Sequence, residues 1–149
     1  MSLSTQITEA MKEAMKSKDS MSLQALRSIK SAILLAQTET GAKEELSTEQ
    51  ELKILQKLVK QRKDSASIFK EQGRDDLAEP ELEEAKVIQQ FLPEQMSEED
   101  VAKVVDEIIA QTGASSMKDM GKVMGMANGR LAGKADGKTI SGIVKQRLS

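Results

Sequence analysis

The chain has 149 residues, a formal net charge of -2 and 31% charged side chains, which suits one ordinary domain or two small ones. It contains no cysteine and no histidine, so disulfides, thiolate nucleophiles, the usual zinc ligand sets and the commonest general base are excluded together. Phe69 and Phe91 are its only aromatic residues, so no stacking platform for single-stranded bases is expected, and a bound nucleic acid would be recognised through backbone and shape.

The longest apolar stretches, such as Ala32 to Ala36, are far too short to span a bilayer, and no signal peptide pattern opens the chain. A soluble, cytoplasmic protein without a membrane partner is expected. Every long segment has helical periodicity and none alternates with period two. The fold class read from this pattern is all-α.

Leu3, Ile7, Ala10, Met11, Ala14 and Met15 form the first apolar stripe, and the polar Ser17-Lys18-Asp19-Ser20 ends it. A second helix carries Leu23, Leu26, Ile29, Ile33 and Leu34 as far as a loop at Thr38 to Gly41. Ser47 and Gln50 have the spacing of a capping box. The long helix after them turns Leu52, Leu55, Leu58, Val59, Ala66 and Phe69 inward and stops at Gly73. Its Lys53, Lys57 and Lys60 read as a solvated face, and Arg62 as a guanidinium at the core edge paired with a carboxylate.

Asp75-Asp76 can open a short turn, and a fresh helix start near Glu79 would put Pro80 in its first turn. Leu82, Val87, Ile88 and Phe91 give that helix its inner face, and Pro93 stops it after Leu92. Phe91-Leu92-Pro93-Glu94-Gln95 is the expected domain junction, dividing the chain into residues 1–92 and 93–149. Ser97 then caps a helix whose first turn holds Glu98, Glu99 and Asp100, matching orphan amides and helix dipole. That helix carries Val101, Val104, Val105 and Ile108 and stops at Gly113. Ser116 with Asp119 signals the next start, and Asp136 the last, ahead of Ile140, Ile143, Val144 and Leu148. The predicted architecture is an N-terminal bundle of about four helices and a smaller, less stable three-helix tail.

Within the tail, Gly121, Gly125, Gly129, Gly133 and Gly137 recur at a four-residue spacing, although each glycine inside a helix costs roughly 1 kcal/mol relative to alanine. Gly121 and Gly125 read as packing positions where a missing Cβ admits another backbone. Gly129, Gly133 and Gly137 read as helix ends and turns. The same stretch holds Lys118, Lys122, Arg130, Lys134, Lys138, Lys145 and Arg147 against only Asp119 and Asp136. The preceding helix is acidic, with Glu94, Glu98, Glu99, Asp100, Asp106 and Glu107 against Lys103. Solvated faces are the expected reading of this contrast, with intramolecular pairing the alternative.

Catalytic groupings fail residue by residue. Asp75-Asp76 and Glu83-Glu84 are adjacent on helices and diverge by about 100°, so neither spacing suits a general acid/base pair. Glu79, Glu81, Glu83 and Glu84 lack a calcium-loop spacing, so no metal site is expected. Ser115-Ser116 with Lys118 and Lys122 would need a rigid turn in a sheet core to act as a serine-lysine nucleophile, and here a capping role suffices. The glycine spacing fits no phosphate loop, and charged neighbours rule out membrane helix pairing through Gly-x-x-x-Gly. No catalytic residue and no cofactor are expected.

The runs Ile54-Leu55-Gln56-Lys57, Lys60-Gln61-Arg62-Lys63-Asp64-Ser65, Gly73-Arg74-Asp75-Asp76-Leu77-Ala78, Phe91-Leu92-Pro93-Glu94-Gln95, Lys118-Asp119-Met120-Gly121-Lys122-Val123-Met124-Gly125 and Gly133-Lys134-Ala135-Asp136-Gly137 resemble those of YqeY-like proteins over nearly the whole chain. That family is similar to the helical and tail regions of the B subunit of the tRNA-dependent aspartyl/glutamyl amidotransferase. The resemblance implies a tail that holds tRNA while other domains of the large enzyme do the chemistry. Glutamine-dependent carbon-nitrogen ligase activity then reaches this chain only as a family association.

The expected function is therefore a non-catalytic, tRNA-interacting helical module. Lys118, Lys122, Arg130, Lys134 and Lys138 are the phosphate-binding candidates. The alternative is an adaptor that docks on an aminoacyl-tRNA synthetase or amidotransferase component. DNA is not an expected partner.

Overall fold

The computed structural model describes residues 2–39 and 46–149, and all regular structure within them is helical. The expected Thr38 to Gly41 loop lies partly outside the described residues; α2 continues through Glu39. Two compact units divide the chain, Met1–Leu92 and Pro93–Ser149.

The first unit holds α1 (Leu3–Lys16), α2 (Ser20–Glu39), α3 (Thr48–Glu71) and α4 (Asp75–Gln89). Ser2 caps α1 through a hydrogen bond from Thr5 N, and Asp19 opens α2 by accepting from Ser22 N at 3.1 Å and Ser22 Oγ at 2.6 Å. Those two bonds hold the Asp19 carboxyl below its ordinary value, the hydroxyl contributing most. Ser47 and Gln50 form the reciprocal box that begins α3. At the other end of α3, Gly73 takes φ +71°, a left-handed turn that a side chain would strain. The core joins Ile7, Ala14, Ala25, Leu26, Ile29, Ile33, Leu55, Val59, Ala85 and Ile88. It collects one stripe from each of the four helices.

One sequence expectation changes at α4. Helix α4 does not restart at Glu79: it runs unbroken from Asp75 with Pro80 inside it. The early start is held by Asp75 and Asp76 in the first turn and by a two-point pair from Arg74, with Nε donating to Asp76 Oδ1 and Nη2 to Oδ2, both at 3.0 Å. The Arg74 guanidinium keeps the Asp76 carboxyl below its ordinary value. Pro80 is exposed, so water can reach the carbonyl that loses its helical partner.

Arg62 is the paired guanidinium that its place on α3 suggested. Its Nε lies 3.4 Å from Glu84 Oε2, with the two side chains 14% and 13% exposed. Its Nη1 also donates to Leu58 O at 3.2 Å, whereas Nε is buried without a hydrogen bond. The pair therefore works by charge compensation in a mostly dry setting. Glu84→Gln keeps the shape and leaves the guanidinium uncompensated, so it should destabilise the first unit by about 1 to 2 kcal/mol. Exposed Glu79→Gln is the control, and equal denaturation midpoints for both variants would remove Arg62-Glu84 from the stability of α3 on α4.

The second unit holds α5 (Glu98–Thr112), a 3₁₀ turn at Met117–Asp119, α6 (Met120–Arg130) and α7 (Gly137–Leu148). Val101, Val105, Ile108, Val123, Ala127, Leu131, Ala135, Ile140, Val144 and Leu148 form its core. Ser97 caps α5 by accepting from Asp100 N, Gly113 ends it in the left-handed region, and Asp136 caps α7 by accepting from Thr139 N. Ser116 makes no side-chain cap, contrary to expectation. The carboxylate of Asp119 instead accepts from Ser115 N at 3.0 Å and closes that turn from the opposite direction.

The segment before α5 is tied into its own unit. Gln95 Nε2 donates to Gly133 O at 2.6 Å and Met96 N to Lys134 O at 2.9 Å, so Gln95-Met96 is fastened to the turn between α6 and α7. Gly133 has φ +75°, which makes glycine the natural residue at that turn. On the other side, Leu92 N still donates to Gln89 O. Gln95 Nε2 also donates to Pro93 O at 3.1 Å, and exposed Glu94 is the residue between these bonds. Endoproteinase Glu-C should therefore cut first after Glu94 and release two folded units. First cleavage inside a helix, or protection of Glu94 with unfolding in one transition, would count against separately cooperative halves.

Candidate nucleic-acid interface

The inner face of α6 is set by Val123 and Ala127, both fully buried. Gly121, Gly125 and Gly129 recur at i, i+4 and i+8 on the opposite side, and all three are exposed. A Cβ built on any of them meets nothing within 4 Å. Among the described residues no other backbone comes close to Gly121 or Gly125, so the packing role expected of them finds no partner there. Gly129, read as a helix end, lies within α6 and does not end it. Gly125, inside α6, forgoes about 1 kcal/mol of helix propensity and Gly121 and Gly129, in its end turns, less, and among the described residues no contact at these positions offsets it.

Lysines stand beside this bare face. Lys118 precedes Gly121 by one turn, Lys122 follows it, and both are exposed. Lys134 lies in the α6–α7 turn and Lys138 in the first turn of α7, again exposed. Among the described residues none of these four, nor Lys145, has a carboxylate within ion-pair distance. Helices α6 and α7 also have no acid in their first turns, whereas α5 has three. The carboxylates at these two ends are the caps themselves, Asp119 before α6 and Asp136 before α7, so Lys122 and Lys138 in the first turns stand close to one acid each without an ion pair to it.

Arg130 departs from this group. It lies on the α5 side of α6, where its Nη2 donates to Glu107 Oε2 at 2.9 Å. Arg147 of α7 likewise donates from Nε to Asp106 Oδ1 at 2.9 Å. The acidic and basic segments are therefore partly paired across helices, not merely two solvated faces. A single sequence could not select these partners, which lie 23 and 41 residues apart. Met117 and Met126, 41% and 38% exposed, add apolar surface to the 3₁₀ turn and α6.

The first unit offers a different kind of surface. Ala32, Leu35 and Ala36 of α2 face Ile54 and Leu58 of α3 across an open groove of about 350 Å³ with Glu39, Lys57 and Gln61 on its rim. Leu34 and Leu35 are 54% and 61% exposed. No group of three or more acids could hold a metal ion among the described residues, and none of their helices is long and apolar enough to cross a membrane.

The chain is 42% identical over 82 residues to the "Altered inheritance of mitochondria protein 41, mitochondrial" of Clavispora lusitaniae, across 55% of this chain and 46% of that protein. It is 33% identical over 84 residues to the E subunit of the glutamyl-tRNA(Gln) amidotransferase of Thermococcus gammatolerans, and 29% identical over 116 residues to that of Thermococcus sibiricus. The first of these two amidotransferase matches covers 54% of this chain and 13% of the relative, the second 72% and 18%. The chain thus spans less than half the length of each of these relatives. The model of the family described as "Yqey-like protein" matches residues 4–148, from the start of α1 to the end of α7, and the chain belongs to that family.

Proposed function

We propose that the second unit is a phosphate-contacting module for folded RNA, with tRNA its first candidate, and that the chain works beside an amidotransferase- or synthetase-related protein without chemistry of its own. The observation that carries this reading is the outward face of α6: exposed Gly121, Gly125 and Gly129 with open space beyond them, bordered by Lys118 and Lys122, which have no carboxylate partner among the described residues. A bare helix face lets a polynucleotide backbone come close, and lysines beside it supply the charge that such an approach needs. Both aromatic residues lie in the first unit, so contacts made here would position an RNA without stacking on its bases. Similarity to proteins named for glutamyl-tRNA(Gln) supports the choice of RNA.

Titration of the full chain with folded tRNA over a salt series tests the reading. Four lysine contacts predict a log-log slope of about -3. Absence of binding at low salt, or binding indifferent to salt, would overturn it. A cytoplasmic location belongs to the same reading; the mitochondrial name of one relative makes cell fractionation its check.

A second reading, an adaptor for a protein partner, is favoured by the open α2–α3 groove and the exposed Leu34 and Leu35. Salt-resistant capture of a synthetase or amidotransferase component, lost on Leu35→Asp, would favour it. In either reading the purified chain should release no ammonia from glutamine and hydrolyse no ATP, since the sequence pairs no nucleophile with an activating base and contains no phosphate loop. Stoichiometric ammonia release that tracks the protein through purification would refute this.

A further inference from the structure

We propose that Asp106 and Glu107 of α5 form an internal guard that keeps both arginines of the second unit away from an RNA ligand. This inference rests on the RNA reading above. Arginine is the stronger phosphate ligand, because its planar fork can bind two oxygens at once. Yet the unit commits Arg130 to Glu107 and Arg147 to Asp106, each at 2.9 Å, while its exposed lysines on α6, α7 and the turn between them stand unpaired among the described residues. The two acids are neighbours on α5, one reaching α6 and the other α7. Arg130 is held through Nη2 alone and Arg147 through Nε alone, so the guard acts by neutralising each guanidinium, and a phosphate meets its full charge only once the carboxylate gives way.

These pairs are exchangeable. The arginine side chains are 44% and 41% exposed and their acids 60% and 52%, so solvent screens both bonds and neither locks the fold. The guard therefore costs the protein little stability and restricts its phosphate contacts to lysines. Lysine contacts hold an RNA loosely and without geometric preference. The acids set how tightly the unit can bind, and the arginines are a reserve that neutralising them would release.

The test compares the full-length wild type with Asp106→Asn/Glu107→Gln in binding to folded tRNA over a salt series, with circular dichroism as the fold check. Glu98→Gln/Glu99→Gln removes the same charge from the same helix and controls for net charge alone. The guard variant should bind about two- to fivefold more tightly for each arginine released, and its salt slope should steepen by about 0.7 to 0.9 per arginine. Adding Arg130→Gln/Arg147→Gln should erase that gain, while the same arginine changes in wild type should leave the slope unaltered.

A gain no larger than the control's, or one that survives loss of the arginines, would overturn the guard. So would a shallower slope for Arg130→Gln/Arg147→Gln alone, because the arginines would then already touch RNA. If the double variant fails to fold, Asp106→Asn and Glu107→Gln decide singly, each against its own arginine. Binding by wild type without these differences removes the guard alone; no binding by any variant removes the RNA reading with it.

Discussion

Replacing Lys118, Lys122, Lys134 and Lys138 together by glutamine should flatten the salt dependence of tRNA binding by about 3 in log-log slope and weaken binding at low salt about a hundredfold. The four are exposed and none holds a carboxylate among the described residues, so neutralising them removes no ion pair that the fold uses. The far-ultraviolet dichroism should be unchanged. Lys122 and Lys138 sit in the first turns of α6 and α7, where a cation opposes the helix dipole but stands within a turn of the Asp119 and Asp136 caps, so thermal stability should hold. The loss should be similar across different tRNA sequences, since phosphate contacts position without reading bases. Arg130→Gln belongs outside this set because of its bond to Glu107. An unchanged affinity and slope in the four-lysine variant would remove the tail from RNA binding and favour the protein-adaptor reading.

Leucine at both Gly121 and Gly125 should separate binding from stability in the opposite sense to that suggested by the sequence. The four-residue spacing predicted that leucine would force a helix contact apart and destabilise the tail by about 1 to 3 kcal/mol. In the structure the space beyond both positions is open. Leucine should therefore stabilise the second unit by about 1 kcal/mol, since it restores much of the helix propensity that each exposed glycine forgoes. If a polynucleotide backbone lies against this face, the same two side chains hold it off and should weaken tRNA binding about a hundredfold, with alanine intermediate. The informative result is the pair of signs: a more stable unit that binds less. Raised stability with undiminished binding would place the RNA elsewhere. A destabilised tail would restore the packing role.

Much of the fold could be read from the chain because its signals are local. The stripe Leu3, Ile7, Met11, Ala14, the Ser47–Gln50 box, the Ser97 and Asp136 caps and the left-handed Gly73 and Gly113 each depend on residues within about one or two helical turns. Local competition explains the misreadings. Pro80 looked like a first-turn residue because nothing in the sequence weighs the Arg74–Asp76 pair against it. Ser116 looked like a cap because Asp119 is an equally good partner for the same turn.

What the sequence determined by itself was the helical class, the places where most helices begin and end, the clustering of cations in the last third and the lack of thiol and imidazole chemistry, all consequences of composition and short-range spacing. Only the tertiary structure decided which cations remain free and what the glycines face. Arg130 and Arg147 find their acids 23 and 41 residues away, and Gly121, Gly125 and Gly129 look outward because Val123 and Ala127 take the buried side of α6. Helical spacing says which residues share a face; it does not say whether another backbone waits opposite it, because that depends on how α5, α6 and α7 close around their common core.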